Sequence, residues 1–238
     1  MDPFGPEVSA VYDLFYRNRG KDFAAEAEAV AEVVTARARD ANALLDVACG
    51  TGEHLRALRG SFARVEGVEV SPDMLAIARS KLPGVPVHRA DMRDFELGRR
   101  FDAVCCLFSS VGYLATVRDL DAAIARMAAH LRPGGVLVVD PWWFPDRFLD
   151  GFTSESTVNE GEQEVRRRSR STRVGDVVRH EAHYAVADPT GTRSFAAIQW
   201  ITLFTRTEYI SAFARAGCAV EHLEGFMSQR GLFVGIRA

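Results

Sequence analysis

Along the first forty residues the apolar positions recur at helical spacing. Val8, Val11, Tyr12 and Phe15 predict an amphipathic helix over 8–16, and the Ala- and Glu-rich stretch 22–39 predicts a second. The period then changes. Leu44, Leu45 and Val47 form a short apolar run that breaks at Ala48-Cys49-Gly50-Thr51-Gly52, and a helical pattern follows from Glu53. A buried parallel strand feeding a tight turn and a helix is expected there. Residues 65–70 predict a second strand ending in Glu69. Ser71-Pro72 suits a helix start, with the helix running to about residue 82. A third strand is expected over 85–89, a central strand over 101–108, a helix over 120–131 and a fifth strand over 136–140.

Between about 152 and 204 the pattern has a period of two. Val178, His180, Ala182, Tyr184 and Val186 alternate with polar neighbours, as do Ala196, Ile198, Trp200, Thr202 and Phe204. With the polar stretch 162–172 these predict an inserted antiparallel sheet. It is too long for a simple connection and is expected to cover an active site. A helix over 207–216 and strands over 218–223 and 232–236 complete the chain. The expected fold is α/β in one domain, 1–238, with a helical N-terminal lid (1–40) and the inserted sheet (150–204).

The turn after the first strand carries the first chemistry. Gly50 and Gly52 let the backbone turn sharply and approach a ligand closely. A dinucleotide fingerprint would place a third glycine where Leu55 stands, and a phosphate-binding loop would end in Gly-Lys-Ser/Thr. Neither fits. Glu69 lies about twenty residues past the loop, the distance at which an acid reaches a ribose diol. Asp91, at the third strand's end, is placed to accept an adenine amino group while Met92 packs on the ring. Strand, Asp46-x-x-x-Gly50-x-Gly52 and helix resemble motif I of the class I S-adenosylmethionine (SAM) methyltransferases.

Composition narrows the partners. A net charge of -3 argues against a nucleic-acid backbone, and no apolar run approaches membrane-spanning length. Residues 1–5 lack the basic and apolar parts of a signal peptide. Cys49, Cys105, Cys106 and Cys218 show no metal spacing, so reduced core thiols and a cytoplasmic location are expected. His180 and His183, three apart on a strand, point to opposite sides, so no metal site is expected. Arg166, Arg168 and Arg170 share one strand face, and Arg166 is taken as a contact to an anionic substrate. Arg230 beside Ser228 can clamp a phosphate. Tyr113 can orient an amine or help pass its proton to water.

Further segments carry a more specific resemblance: Phe108-Ser109-Ser110-Val111-Gly112-Tyr113, Pro141-Trp142-Trp143-Phe144-Pro145 and Arg230-Gly231-Leu232-Phe233 above all. With them the chain resembles the nucleotide-linked amino-sugar N,N-dimethyltransferases of antibiotic biosynthesis over nearly its whole length. That resemblance implies a seven-stranded mixed sheet with an added antiparallel sheet, usually in a homodimer. It implies SAM bound by Tyr12, by the loop at Asp46, Ala48, Gly50 and Gly52, and by Glu69, Asp91, Met92 and Leu107. A thymidine diphosphate (TDP) amino sugar would lie near Trp142, Trp143, Tyr113 and Arg230, beside the Arg166 and Ser228 singled out above. Taken without the resemblance, the residues also admit another small-molecule acceptor, or SAM binding without turnover. Leu55 places a nicotinamide-dependent reductase last.

Overall fold

The computed structural model describes residues 4–238; Met1, Asp2 and Pro3, which open the stretch read for a leader peptide, lie outside them. Helices α1 (Pro6–Asn18) and α2 (Phe23–Thr35) precede β1 (Ala43–Val47) and the short α3 (Glu53–Leu58). Next come β2 (Arg64–Glu69), α4 (Pro72–Lys81), β3 (Val87–Arg89) and β4 (Phe101–Cys106). A short 3-10 turn over Ser110–Tyr113 leads to α5 (Val117–Ala129) and β5 (Leu131–Val139). The insert is β6 (Thr153–Glu160), β7 (Gln163–Val174), β8 (Val177–Asp188) and β9 (Gly191–Thr202). The chain ends with α6 (Arg206–Arg215), β10 (Cys218–Leu223) and β11 (Leu232–Arg237).

Two sheets result. The larger has seven strands in the order β10-β11-β5-β4-β1-β2-β3, parallel except at β11, which runs antiparallel to β5 and β10. Every residue of β1 is buried, as a central strand covered on both faces requires. One face packs on α5 and α6 through Leu120, Ile124 and Phe213; the other packs on α2, α3 and α4 through Val30, Leu55 and Leu75. Because the parallel strands run in register, the ends of β1, β2, β4 and β5 open on one side, where open α/β sheets hold ligands.

The smaller sheet has four antiparallel strands in sequence order. Its inner face packs on α1, where Val8, Val11 and Phe15 meet Val165, Tyr184, Val186 and Ala197. The sequence pattern predicts three strands. The missed one, β6, has a single buried residue, Val158, among exposed and half-buried polar ones, so no apolar period marks it.

A second correction concerns β9. The alternation of Ala196, Ile198 and Trp200 faces solvent, with Ile198 43% and Trp200 53% exposed, whereas Ala197 and Ile201 point inward. A period of two separates two faces without saying which is covered, and here both carry apolar residues. The polar arginine run has the same parity problem: Arg166, Arg168 and Arg170 are exposed, and Arg167, Ser169 and Ser171 are buried on the inner face.

Candidate active site

A cavity of about 820 Å³ lies between the strand ends of the large sheet and the inner face of the small one, closed on a third side by α1. Its floor is strained. Among the described residues only Ala48, Phe108, Ser109 and Met227 are non-glycine with positive φ, and the first three line the cavity. Such backbone costs about 1–3 kcal/mol per residue and gathers at binding sites.

One half of the cavity is built by the β1–α3 loop. Gly50 has φ +56° and open space where a Cβ would stand, so its backbone borders the cavity directly. The loop is held from β2: the Glu69 carboxylate accepts the Gly50 N–H at 2.8 Å and the Ser71 N–H at 2.8 Å. It is also held from α1. Thr51 donates to Asp13 at 2.5 Å, Lys81 pairs with Asp13, and Lys81 pairs with Glu53 at 2.9 Å. Asp46 is buried below the loop. Its Oδ1 takes a weak bond from the Cys105 thiol at 3.5 Å, and its Oδ2 has no partner among the described residues. Burial pushes its pKa up to about 7, with the Glu69 charge adding to the effect.

A half-buried charge cluster flanks this loop. Lys21 binds both oxygens of Glu26 at 2.6–2.7 Å and sits 3.7 Å over the Phe108 ring, while His54 meets Glu26 at 2.8 Å. Burial lowers the pKa of Lys21 and of His54. Although burial opposes it, the His54 and Lys21 hydrogen bonds hold Glu26 below the usual carboxylate range.

The other half is aromatic and cationic. Trp142 and Trp143 follow β5, and the Arg230 guanidinium lies 5.8 and 5.4 Å from their rings. Arg230 donates from Nε to the Pro141 carbonyl at 2.9 Å and stands 3.6 Å from Asp140. Asp140 in turn accepts the Ser109 N–H at 3.1 Å, and burial raises its pKa to about 6 against the pull of Arg230. Tyr113 meets Phe4 edge-on at 5.3 Å, and Tyr16 meets Phe108 edge-on at 5.0 Å. The ceiling is the inner face of β7 and β8, with Arg167 and His180.

A family model described as "Methyltransferase domain" matches residues 44–135. The dTDP-3-amino-3,4,6-trideoxy-alpha-D-glucopyranose N,N-dimethyltransferase of Streptomyces venezuelae is 53% identical over 96% of this chain and 97% of its own length. The dTDP-3-amino-3,6-dideoxy-alpha-D-glucopyranose N,N-dimethyltransferase of Streptomyces fradiae is 50% identical over 98% and 92%. In three dimensions, the crystal structure of Streptomyces venezuelae DesVI superposes with a TM-score of 0.94, 53% identity and coverage of 97% and 98%. The chain belongs to the sugar N,N-dimethyltransferase family. SAM-bound CalS10, an amino pentose methyltransferase from Micromonospora echinaspora, superposes at 0.89 with 51% identity and coverage of 96% and 97%.

The cofactor of this methyltransferase is SAM, and the residues present fit it. The bare backbone at Gly50, the Glu69 carboxylate bonded to it, the apolar Met92 and the rings of Tyr12, Tyr16 and Phe108 all line the cavity. A sulfonium is a cation, and aromatic faces attract it.

Of the positions singled out in the sequence, Tyr12, Asp46, Ala48, Gly50, Glu69, Met92 and Leu107 border the cavity, as do Tyr113, Trp142, Trp143 and Arg230. Four do not. Gly52 faces α4, where a Cβ would come within 2.8 Å of the Leu82 side chain. Asp91 turns its carboxylate onto Arg93, whose hydrogen bonds depress its pKa, so Met92 alone of that pair lines the wall. The Ser228 hydroxyl accepts the Arg230 backbone N–H at 3.2 Å. Arg166 lies on the solvent face of β7, and Arg167 takes the inner position. His180 lines the cavity while the exposed His183 points away, and no cluster able to hold a metal occurs among the described residues.

Sequence reading missed Arg19, Phe108, Arg167 and His180 in the wall. For Arg167 a signal existed: Val165, Arg167, Ser169 and Ser171 form an alternate set headed by an apolar residue.

Proposed function

We propose that this methyltransferase adds two methyl groups in succession to the amino group of a TDP-linked deoxyamino sugar. The observation that carries the reading is the division of one cavity into a loop-and-carboxylate half and a half built from Trp142, Trp143 and Arg230. The first suits an adenosyl cofactor. The second offers stacking faces for a base or sugar and a guanidinium for a diphosphate. Names borne by relatives of 53% and 50% identity point to the same substrate class. Incubation with SAM and a TDP-deoxyamino sugar is expected to yield species heavier by one and then two methyl groups in mass spectrometry. Unchanged substrate would overturn the assignment.

Bound SAM supplies a methyl carbon already activated by its sulfonium. The protein's part is placement, which is worth up to ~7–11 kcal/mol in favourable cases. Glu69 would receive the ribose hydroxyls and Met92 would pack on adenine. Tyr12, Tyr16 and Phe108 would offer their rings to the sulfonium. Arg230, steadied by Pro141 and Asp140, receives the diphosphate.

Tyr113 orients the amine and is no general base. Tyr113 lines the cavity and is about a third exposed, yet desolvation, with Tyr16 and Tyr184 close by, raises its phenol pKa far above the ordinary value. The hydroxyl therefore keeps its proton at neutral pH. Tyr113→Phe is expected to lower kcat by about tenfold or less, the worth of one hydrogen bond, with no change in the shape of the pH–rate curve. Loss of the acid limb would identify Tyr113 as a base instead.

We also propose a homodimer and a cytoplasmic location. The outward Ile198 and Trp200 on the small sheet support the first. Four free, buried cysteines support the second. No helix among the described residues is long and apolar enough to cross a membrane.

A further inference from the structure

Arg167 is the odd residue of the cavity ceiling. It sits on β7 at 7% exposure, and no carboxylate lies within ion-pair distance of it among the described residues. All three of its nitrogens donate, each to a neutral group: Nε to the Tyr184 hydroxyl at 3.0 Å, one terminal nitrogen to Ser169 at 3.4 Å, the other to His180 Nε2 at 2.7 Å. His180 accepts there, so its proton is on Nδ1, which donates to the Ser171 hydroxyl at 2.8 Å. Burial and the Arg167 charge lower the His180 pKa to about 4, so the imidazole adds no second charge at neutral pH. The guanidinium also lies 5.4 Å from the Phe15 ring and 5.6 Å from the Tyr184 ring.

The titratable groups that touch it or feel its charge are Tyr184 and His180 on β8, Tyr16 on α1 and Tyr113 on the 3-10 turn, and Arg19, just past the end of α1, lies over the same Phe15 ring. None is a carboxylate, and of the carboxylates that line the cavity, Asp46, Glu53, Glu69 and Asp146, none pairs with Arg167 among the described residues. Its field reaches the cavity wall, where it pulls on the phenols of Tyr16 and Tyr113 against the burial that raises both. A buried charge without a counter-ion is costly, and a neutral side chain could fill the space without that cost.

We propose that the Arg167 guanidinium holds the acceptor nitrogen in its neutral, nucleophilic form and favours proton loss after each transfer. The proposal rests on the acceptor being an amine. An alkylammonium titrates near 10 in water, like lysine at about 10.4, and has no lone pair with which to attack. An uncompensated cation across a cavity of low dielectric disfavours a second cation at the acceptor. As the nitrogen–carbon bond forms, the carbon–sulfur bond breaks and its pair leaves with sulfur. The nitrogen becomes an ammonium, repelled by Arg167, and gives its proton to water. The lone pair is thereby restored for the second methylation, and no basic side chain is required.

The test is the proton count on binding. Calorimetry of a TDP-amino sugar with the S-adenosylhomocysteine-loaded enzyme, in buffers of different ionisation enthalpy, is expected to show release of about one proton at neutral pH. Arg167→Gln should release markedly fewer, and Arg167→Lys, which keeps the charge, should restore the release. A TDP sugar with a hydroxyl in place of the amine should bind Arg167→Gln as it binds the wild type, showing an intact site. In turnover, the acid limb of kcat for Arg167→Gln should move up by about one pH unit, a tenfold loss at lower pH that recovers as pH rises. Undiminished proton release in Arg167→Gln would overturn the proposal. So would equal loss of the hydroxyl analogue, which would make Arg167 a diphosphate anchor. If no TDP-amino sugar bound the wild type, the acceptor assignment would fall and this proposal with it.

Discussion

Glu69→Ala is expected to weaken binding of S-adenosylhomocysteine by about 100-fold, measured by titration calorimetry. Hydrogen bonds to a charged group are each worth about 1.5–3 kcal/mol, so loss of a carboxylate that serves a ribose diol reaches that range. A second effect acts in the same direction. The carboxylate accepts the N–H groups of Gly50 and Ser71, so removing it also releases the loop that forms the cofactor wall. Glu69→Gln keeps an acceptor oxygen for one of those N–H groups and is expected to lose less. Unaltered affinity in Glu69→Ala would remove the ribose assignment.

Asp46→Asn is expected to stabilise the ligand-free protein at high pH. The folded pKa of Asp46, about 7, lies above its ordinary value of 3.8, chiefly because burial penalises the anion. The folded state therefore binds this proton more tightly than the unfolded one. The corresponding stability is fully present below about pH 4 and is lost as pH rises through about 7. Asparagine does not titrate, so the variant escapes that loss. Its advantage should grow from near zero at pH 4 to roughly 2–4 kcal/mol at pH 8.5 in urea unfolding. A variant no more stable than the wild type at pH 8.5 would show that Asp46 is already well solvated. A carboxylate that costs stability while one of its oxygens stays unpaired in the cavity wall suits a ligand-binding post better than a structural one.

Where sequence reading and structure part, the same physical cause recurs. The β1–loop–α3 unit was legible because every signal in it is local: an apolar run, a glycine turn and a helix start lie within about fifteen residues. Glu69 was legible because the strand that carries it is parallel to β1 and adjacent, which the spacing encodes. Asp91 was placed correctly at a strand end, yet Arg93 two residues on captures its carboxylate, a choice between rotamers that no spacing rule contains. The half-buried link from Lys21 through Glu26 to His54 joins the helices that precede and follow β1 in the chain, and nothing in the separate segments announces it.

The sequence by itself determined the elements of the large sheet, the strand ends at which its candidate site residues stand and, through its resemblance, the class of reaction. Those follow from periods, turns and spacings that act over a few residues. Only the tertiary structure decided which side of each inserted strand meets the cavity. It turned Arg167 inward and Arg166 outward, buried Ala197 and exposed Trp200. The physical reason is that a strand offers two faces, and α1, folded back from the far end of the chain, selects one by burying Phe15 and Val11 against it.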